Sequence, residues 1–127
     1  MVGWQGRSNR KASGAKIRPL RGKRRYEMGR EPVLTVLGEP VKKIMRCHGA
    51  SEKVKLVKEN YVNVTDTKTN KTSKLKILDV ESNKASLEFQ RRRVITKGAI
   101  VKTEQGKVRI TSRPGQQGPL SGVLIEA

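Results

Sequence analysis

The chain has 127 residues with 29 Lys/Arg against 11 Asp/Glu, a formal charge of +18, and only 3% aromatic residues. That length holds one small hydrophobic core rather than two, and so large a positive excess repels itself unless a polyanion is the habitual partner. No apolar run approaches the length needed to span a bilayer, and Cys47, the single cysteine, excludes an intrachain disulfide and suits a reducing compartment.

The first stretch is the most biased. Arg7 to Tyr26 contains nine cations, Arg7, Arg10, Lys11, Lys16, Arg18, Arg21, Lys23, Arg24 and Arg25, with no acid among them. Gly3, Gly6, Gly14, Gly22 and Pro19 break any helical period, and Val2, Trp4, Ile17 and Leu20 are too scattered to make a buried face. Such a segment cannot offset its ordering entropy alone, so a disordered basic arm over residues 1–30 is expected, ordered by a polyanion. It lacks the apolar core of a secretory signal, and its glycines and proline forbid the continuous amphipathic helix of a transit peptide. Residues 31–127 carry the other half of the net charge over about three times the length and are expected to form the folded domain.

Within that domain, Val33 to Leu37 reads as a strand, Gly38-Glu39-Pro40 as a turn, and Val41 to Arg46 as a second strand of imperfect alternation. Cys47-His48 precedes a Gly-Ala-Ser loop; with no further Cys or His, the pair cannot complete a zinc site. Lys53 to Val64 supplies one broken strand or two. Asp66 to Ser73 is wholly polar and predicts a solvated hairpin tip. Leu75-Ile77 and Leu87-Phe89, with Ser82-Asn83 between, predict a hairpin. Lys97-Gly98 and Gln105-Gly106 turn the chain into strands over 99–103 and 107–111, the latter with a basic polar face. A breaker-rich loop, Ser112 to Pro119, precedes a last strand over 123–125. No helix is predicted. Six to eight short strands at regular spacing indicate an all-β fold, a small antiparallel β-barrel whose closure removes exposed edges.

The candidate nucleic-acid-binding residues are the nine arm cations, Tyr26 as a stacking or anchoring ring, and the cluster Arg91-Arg92-Arg93. Arg neutralises phosphate, forks onto it and stacks on bases. Trp4 could stack likewise. Gly115-Gln116-Gln117-Gly118 has the form of a backbone clamp, but Pro114 and Pro119 argue against the flanking helices such a clamp needs. No nucleotide loop, acid-base pair or metal set is present in the sequence, so no catalytic residue, cofactor, metal or small-molecule substrate is expected.

Arg10-Lys11-Ala12-Ser13-Gly14-Ala15-Lys16-Ile17-Arg18-Pro19 and Lys23-Arg24-Arg25-Tyr26-Glu27-Met28-Gly29-Arg30 strongly resemble the N-terminal signature of the eight-e family of small-subunit ribosomal proteins. Ile77-Leu78-Asp79-Val80 and Ser112-Arg113-Pro114-Gly115-Gln116 look like its later motifs, in the same order. The resemblance implies a β-barrel with a basic extension, bound to small-subunit rRNA beside other ribosomal proteins in the cytoplasmic ribosome, with Arg113, Gly115 and Gln116 also facing RNA. It implies neither a membrane nor a homo-oligomer. The chain lacks the long insertion that eukaryotic members carry after the strand ending near Thr111, which is the archaeal pattern; it departs from the family at His48 to Ser51, where a Gly-Gly-Asn-like turn is expected. The alternatives weighed are a ribosome-assembly factor that binds pre-rRNA transiently, an RNA-directed enzyme and a DNA-compacting protein.

Overall fold

The short β-branched runs after Val33 become strands, and the glycine, asparagine and proline positions between them become the turns. In the computed structural model, which describes residues 3–126, the chain divides into two compact units at Pro32/Val33. The larger unit contains, in chain order, β1 (Thr35–Leu37), β2 (Val41–Arg46), β3 (Glu52–Glu59), β4 (Tyr61–Thr65), β5 (Thr72–Ser82), helix α1 (Leu87–Arg91), β6 (Val94–Ile95), β7 (Ile100–Thr103), β8 (Gly106–Ile110), helix α2 (Pro114–Gln117) and β9 (Ser121–Glu126). Strands β4-β5-β7-β8-β9 close a barrel, while β2-β3-β1-β6 form a four-stranded sheet.

The barrel follows from period-2 patterning. Val62 and Val64 of β4, Leu75 and Ile77 of β5, Val101 of β7, and Val108 and Ile110 of β8 are buried, and the residues between them face outward. Leu56 of β3, Ile95 of β6 and Leu120 extend the same core. Closure is made by a parallel pair: Asn63, Val64 and Thr65 of β4 lie beside Ser121, Gly122 and Val123 of β9. The other four barrel pairings are antiparallel, so the expected antiparallel barrel is corrected at its seam. On its other side β9 lies close to β8, and Gly122 permits that approach, because a Cβ on it would lie 2.6 Å from Val108 Cγ1 and 2.8 Å from the Arg109 carbonyl oxygen.

Two local expectations, at Leu87-Phe89 and at Pro114, need correction, and two further points follow from the register. Residues 52–65 are two strands, β3 and β4, separated at Asn60. The segment read as a strand over Leu87-Phe89 is α1: Ser86 caps it by accepting from the Glu88 N–H (3.2 Å), with Glu88 in the first turn and Arg91 in the last. Two bulges in β5 against β7 then explain the slipped alternation Leu75, Ile77, Val80; at the first, Leu78 and Asp79 both face outward. Finally, Pro114 starts the single turn α2 at the first helical position, where its missing N–H costs nothing. A buried Asn83 closes the α1 excursion. Its Nδ2 donates to the Val94 carbonyl (2.9 Å), and its Oδ1 accepts from the Ala85 N–H and the Thr96 hydroxyl (both 3.0 Å).

The smaller unit, expected to have no order of its own, carries a set of short-range turns. Ile17 N–H donates to the Asn9 carbonyl (2.8 Å), Lys11 N–H to that of Ala15 (2.9 Å), and the Arg10 guanidinium to that of Gly14 (2.8 Å), Gly14 standing at φ 82. Gly29 N–H reaches the Gly3 carbonyl (2.8 Å) next to a Trp4–Met28 bridge. None of these contacts makes an apolar core: Leu20 and Tyr26 are exposed.

Candidate nucleic-acid interface

All nine arm cations are exposed. One acid, Glu27, takes one of them. Its carboxylate receives the fork of Arg21, through Nη1 at 3.0 Å and Nη2, and also the Arg24 N–H (3.1 Å). The Arg21 bond and then the Arg24 N–H hold the Glu27 carboxyl below its ordinary value. Lys23 lies 5.1 Å from the Trp4 ring centroid, and the Trp4 indole N–H donates to the Arg7 carbonyl (2.9 Å), so Trp4 is held locally rather than displayed. Tyr26, on a 3-10 turn at Arg25–Glu27, is 81% exposed with its ring available for stacking.

In the larger unit the candidates fall on two elements. Arg91 ends α1, Arg92 is its C-cap, and Arg93 follows at φ 53, a left-handed conformation that glycine normally supplies at this position. Arg93 Nε meets Asp79 Oδ1 at 3.3 Å, so one of the three arginines is partnered while Arg91 and Arg92 are exposed. Arg113, Gly115 and Gln116 lie at and within α2. Arg113 is exposed, and Gln116 accepts from Lys53 Nζ of β3 (3.0 Å). This loop is pinned at its base, where the Ser121 carbonyl accepts from the Thr111 N–H (2.9 Å) and Ser121 N–H donates to the Ser112 hydroxyl (2.9 Å). A Cβ at Gly115 would lie 3.3 Å from the Val33 carbonyl, so glycine there serves backbone packing as well as any approach to phosphate.

The register exposes a basic surface that residue-by-residue reading missed. The β2–β3 hairpin carries Lys42, Lys43, Arg46, Lys53, Lys55 and Lys58 against two acids, Glu52 and Glu59. Lys43 stands directly opposite Lys55, a like-charge pairing that weakens a sheet in isolation. Lys102 of β7 likewise faces Lys107 of β8 on the barrel wall. The signal was a set of lysines alternating with apolar residues, which reads as ordinary strand spacing until the partner strand is known. At the tip of this hairpin, where the sequence departs from the family over residues 48–51, Gly49 (φ 69) and Ala50 (φ 59) are both left-handed, a requirement that a Gly-Gly-Asn sequence meets more easily.

An exposed arm with nine cations and one acid, and a folded unit with cations paired across its strands, define a nucleic-acid-binding protein of the basic β-barrel kind. No group of three or more His, Cys, Asp or Glu able to hold a metal occurs among the described residues. The sequence pattern of the family described as ribosomal protein S8e matches residues 4–125, and the chain belongs to that family. It is 47% identical to small ribosomal subunit protein eS8 of Methanospirillum hungatei, over 97% of this chain and 98% of that protein. It is 49% identical to the protein of the same name from Methanococcus vannielii, over 98% of both chains, and 46% identical to that of Methanocorpusculum labreanum, over 97% and 98%.

Proposed function

We propose that this chain holds small-subunit rRNA through two kinds of contact: the arm, residues 1–30, as a tether, and the cationic faces of the folded unit as a docking body. As an S8e-family protein it is a structural constituent of the small ribosomal subunit and not an enzyme. The tether consists of Arg7, Arg10, Lys11, Lys16, Arg18, Lys23, Arg24 and Arg25, with Tyr26 stacking on an unpaired base and Arg21 shared with Glu27. The docking body contributes Arg91, Arg92, Arg113, Gly115 and Gln116, joined by the β2–β3 lysines. Its neighbours are other small-subunit proteins, its setting is the cytoplasmic ribosome, and it works there as a single copy without a membrane.

The observation that carries this reading is the exposure of nine arm cations beside a single acid that engages only one of their side chains. Lys and Arg on phosphates release condensed counterions, so affinity falls with salt at about 0.9 log units per log unit of salt for each duplex phosphate neutralised. Binding of small-subunit rRNA is measured across a salt series with the full chain and with a chain lacking residues 1–25. The truncated chain is expected to stay folded, bind more weakly and lose several contacts from the slope. An unchanged slope, or equal competition by duplex DNA, refutes the tether.

A further inference from the structure

One recess combines features that phosphate binding does not call for. It measures about 340 Å³ and is lined by Asp79, Val80, Leu87, Gln90, Arg91 and Arg93. The bulge at Leu78 turns Asp79 outward, with its side chain 52% exposed, in a protein of net charge +18. Asp79 Oδ1 is occupied, accepting from the Val80 N–H (2.9 Å) and facing Arg93 Nε. Its Oδ2 makes no hydrogen bond among the described residues. Leu87 and Arg91 are four apart on α1 and so lie side by side, and Leu87 is 77% exposed although it is one of the few large apolar side chains in this region. Arg93 is held in a left-handed conformation that a side chain adopts at a cost, and strain of this kind gathers at ligand sites.

A carboxylate would repel a phosphate, whereas an unpaired nucleobase uses Asp79, Leu87 and Arg91 together. We infer that the recess receives a single unpaired base of the RNA, resting on the Leu87 side chain and the Arg91 guanidinium and donating N–H to Asp79 Oδ2. Guanine, whose adjacent N1–H and N2–H can both converge on that single free oxygen, is the base that fits. The inference rests on the rRNA-binding reading. It differs from simple charge neutralisation in the sign of one substitution. If this surface only meets phosphates, Asp79→Asn removes a repulsive charge and tightens binding. If it reads a base, the same change weakens binding.

The test uses the full chain and small-subunit rRNA, with affinity measured at several salt concentrations and guanine Watson–Crick edges probed chemically. The parent protein should protect at least one unpaired guanine that D79N leaves reactive. D79N should bind about tenfold more weakly, the scale of one good base contact, with an unchanged salt slope. L87A removes an exposed side chain the fold does not need and should lose the same protection, which covers the case of a misfolded D79N. Unchanged or tighter binding by D79N, with guanine reactivity unaffected by L87A, overturns the base pocket and leaves the tether intact. Failure of the parent protein to bind rRNA at all overturns the tether as well.

Discussion

Asn83 braces the two ends of the segment that carries Arg91 to Arg93. It is 5% exposed, and its amide makes three bonds, to the Val94 carbonyl, the Ala85 N–H and the Thr96 hydroxyl, which tie the end of β5 to the start of β6 across the α1 excursion. Val94 is fully buried, so water cannot easily replace the lost donor at its carbonyl. Asn83→Ala deletes all three bonds; at about 1 kcal/mol for each, the expected loss is roughly 2–3 kcal/mol. For a folded unit of this size that corresponds to a fall in Tm of roughly 10–20 °C. The assay is thermal unfolding of the full chain followed by circular dichroism, with a urea titration to verify that the slope m is unchanged. A fall of less than about 4 °C, under 1 kcal/mol, would mean that the α1 segment is held by its own cap and by packing, and that the asparagine network is incidental.

Three further outcomes follow from named geometry. Gly122→Ala would place a Cβ 2.6 Å from Val108 Cγ1 and 2.8 Å from the Arg109 carbonyl; because backbone cannot yield as a side-chain tip can, a loss of about 1–3 kcal/mol is expected in urea unfolding, and a neutral result would deny that the β8–β9 approach is tight. Ala50→Gly relieves a left-handed residue at φ 59 in the β2–β3 tip and should raise the urea midpoint by up to about 1 kcal/mol equivalent; a lower midpoint would contradict the strain assigned there. Glu27 has a pKa lowered first by the Arg21 bond and then by the Arg24 N–H. A carboxyl lowered on ordering contributes fully above its ordinary value and loses that contribution as pH falls through the lowered one. The Arg21–Glu27 contact should therefore persist at neutral pH and open only in acid, with the carboxyl resonance of Glu27 titrating below 4.5; a midpoint at or above that value would show the contact absent in solution.

Legibility in the sequence tracked how local the determining interaction is. The strand Val41 to Arg46, the polar tip after Asp66 and the turn into β8 were readable because alternation and turn residues act within a few positions. Leu87 and Phe89 alternate over three residues only, which reads as a strand, whereas the Ser86 cap with Glu88 in the first turn starts a helix. Pro114 reads as a breaker, whereas its position at the start of a turn makes it an initiator. The parallel β4–β9 seam depends on a pairing between residues about sixty positions apart, which no local pattern encodes. For the same reason the arm's charge was plain from composition, while the opposed lysines of the folded unit emerged only with the register.

That register bears on how fold and function share the same charges. Nothing in the packing of β2 against β3 requires Lys43 opposite Lys55, or of β7 against β8 Lys102 opposite Lys107; an opposite-charge pair would serve either ladder better. The ion pairs described in the folded unit, Arg93–Asp79 and Lys107–Glu81, join exposed side chains and offset little of this repulsion. The free protein is therefore held by its Val, Ile and Leu core against its own electrostatics. On the proposed rRNA reading, phosphate beside Lys43, Lys55 and Lys102 would change the sign of that contribution by supplying counter-charge. If the cationic faces dock rRNA as proposed, the positions at which the sequence is worst suited to a free sheet are those that a polyanion would relieve.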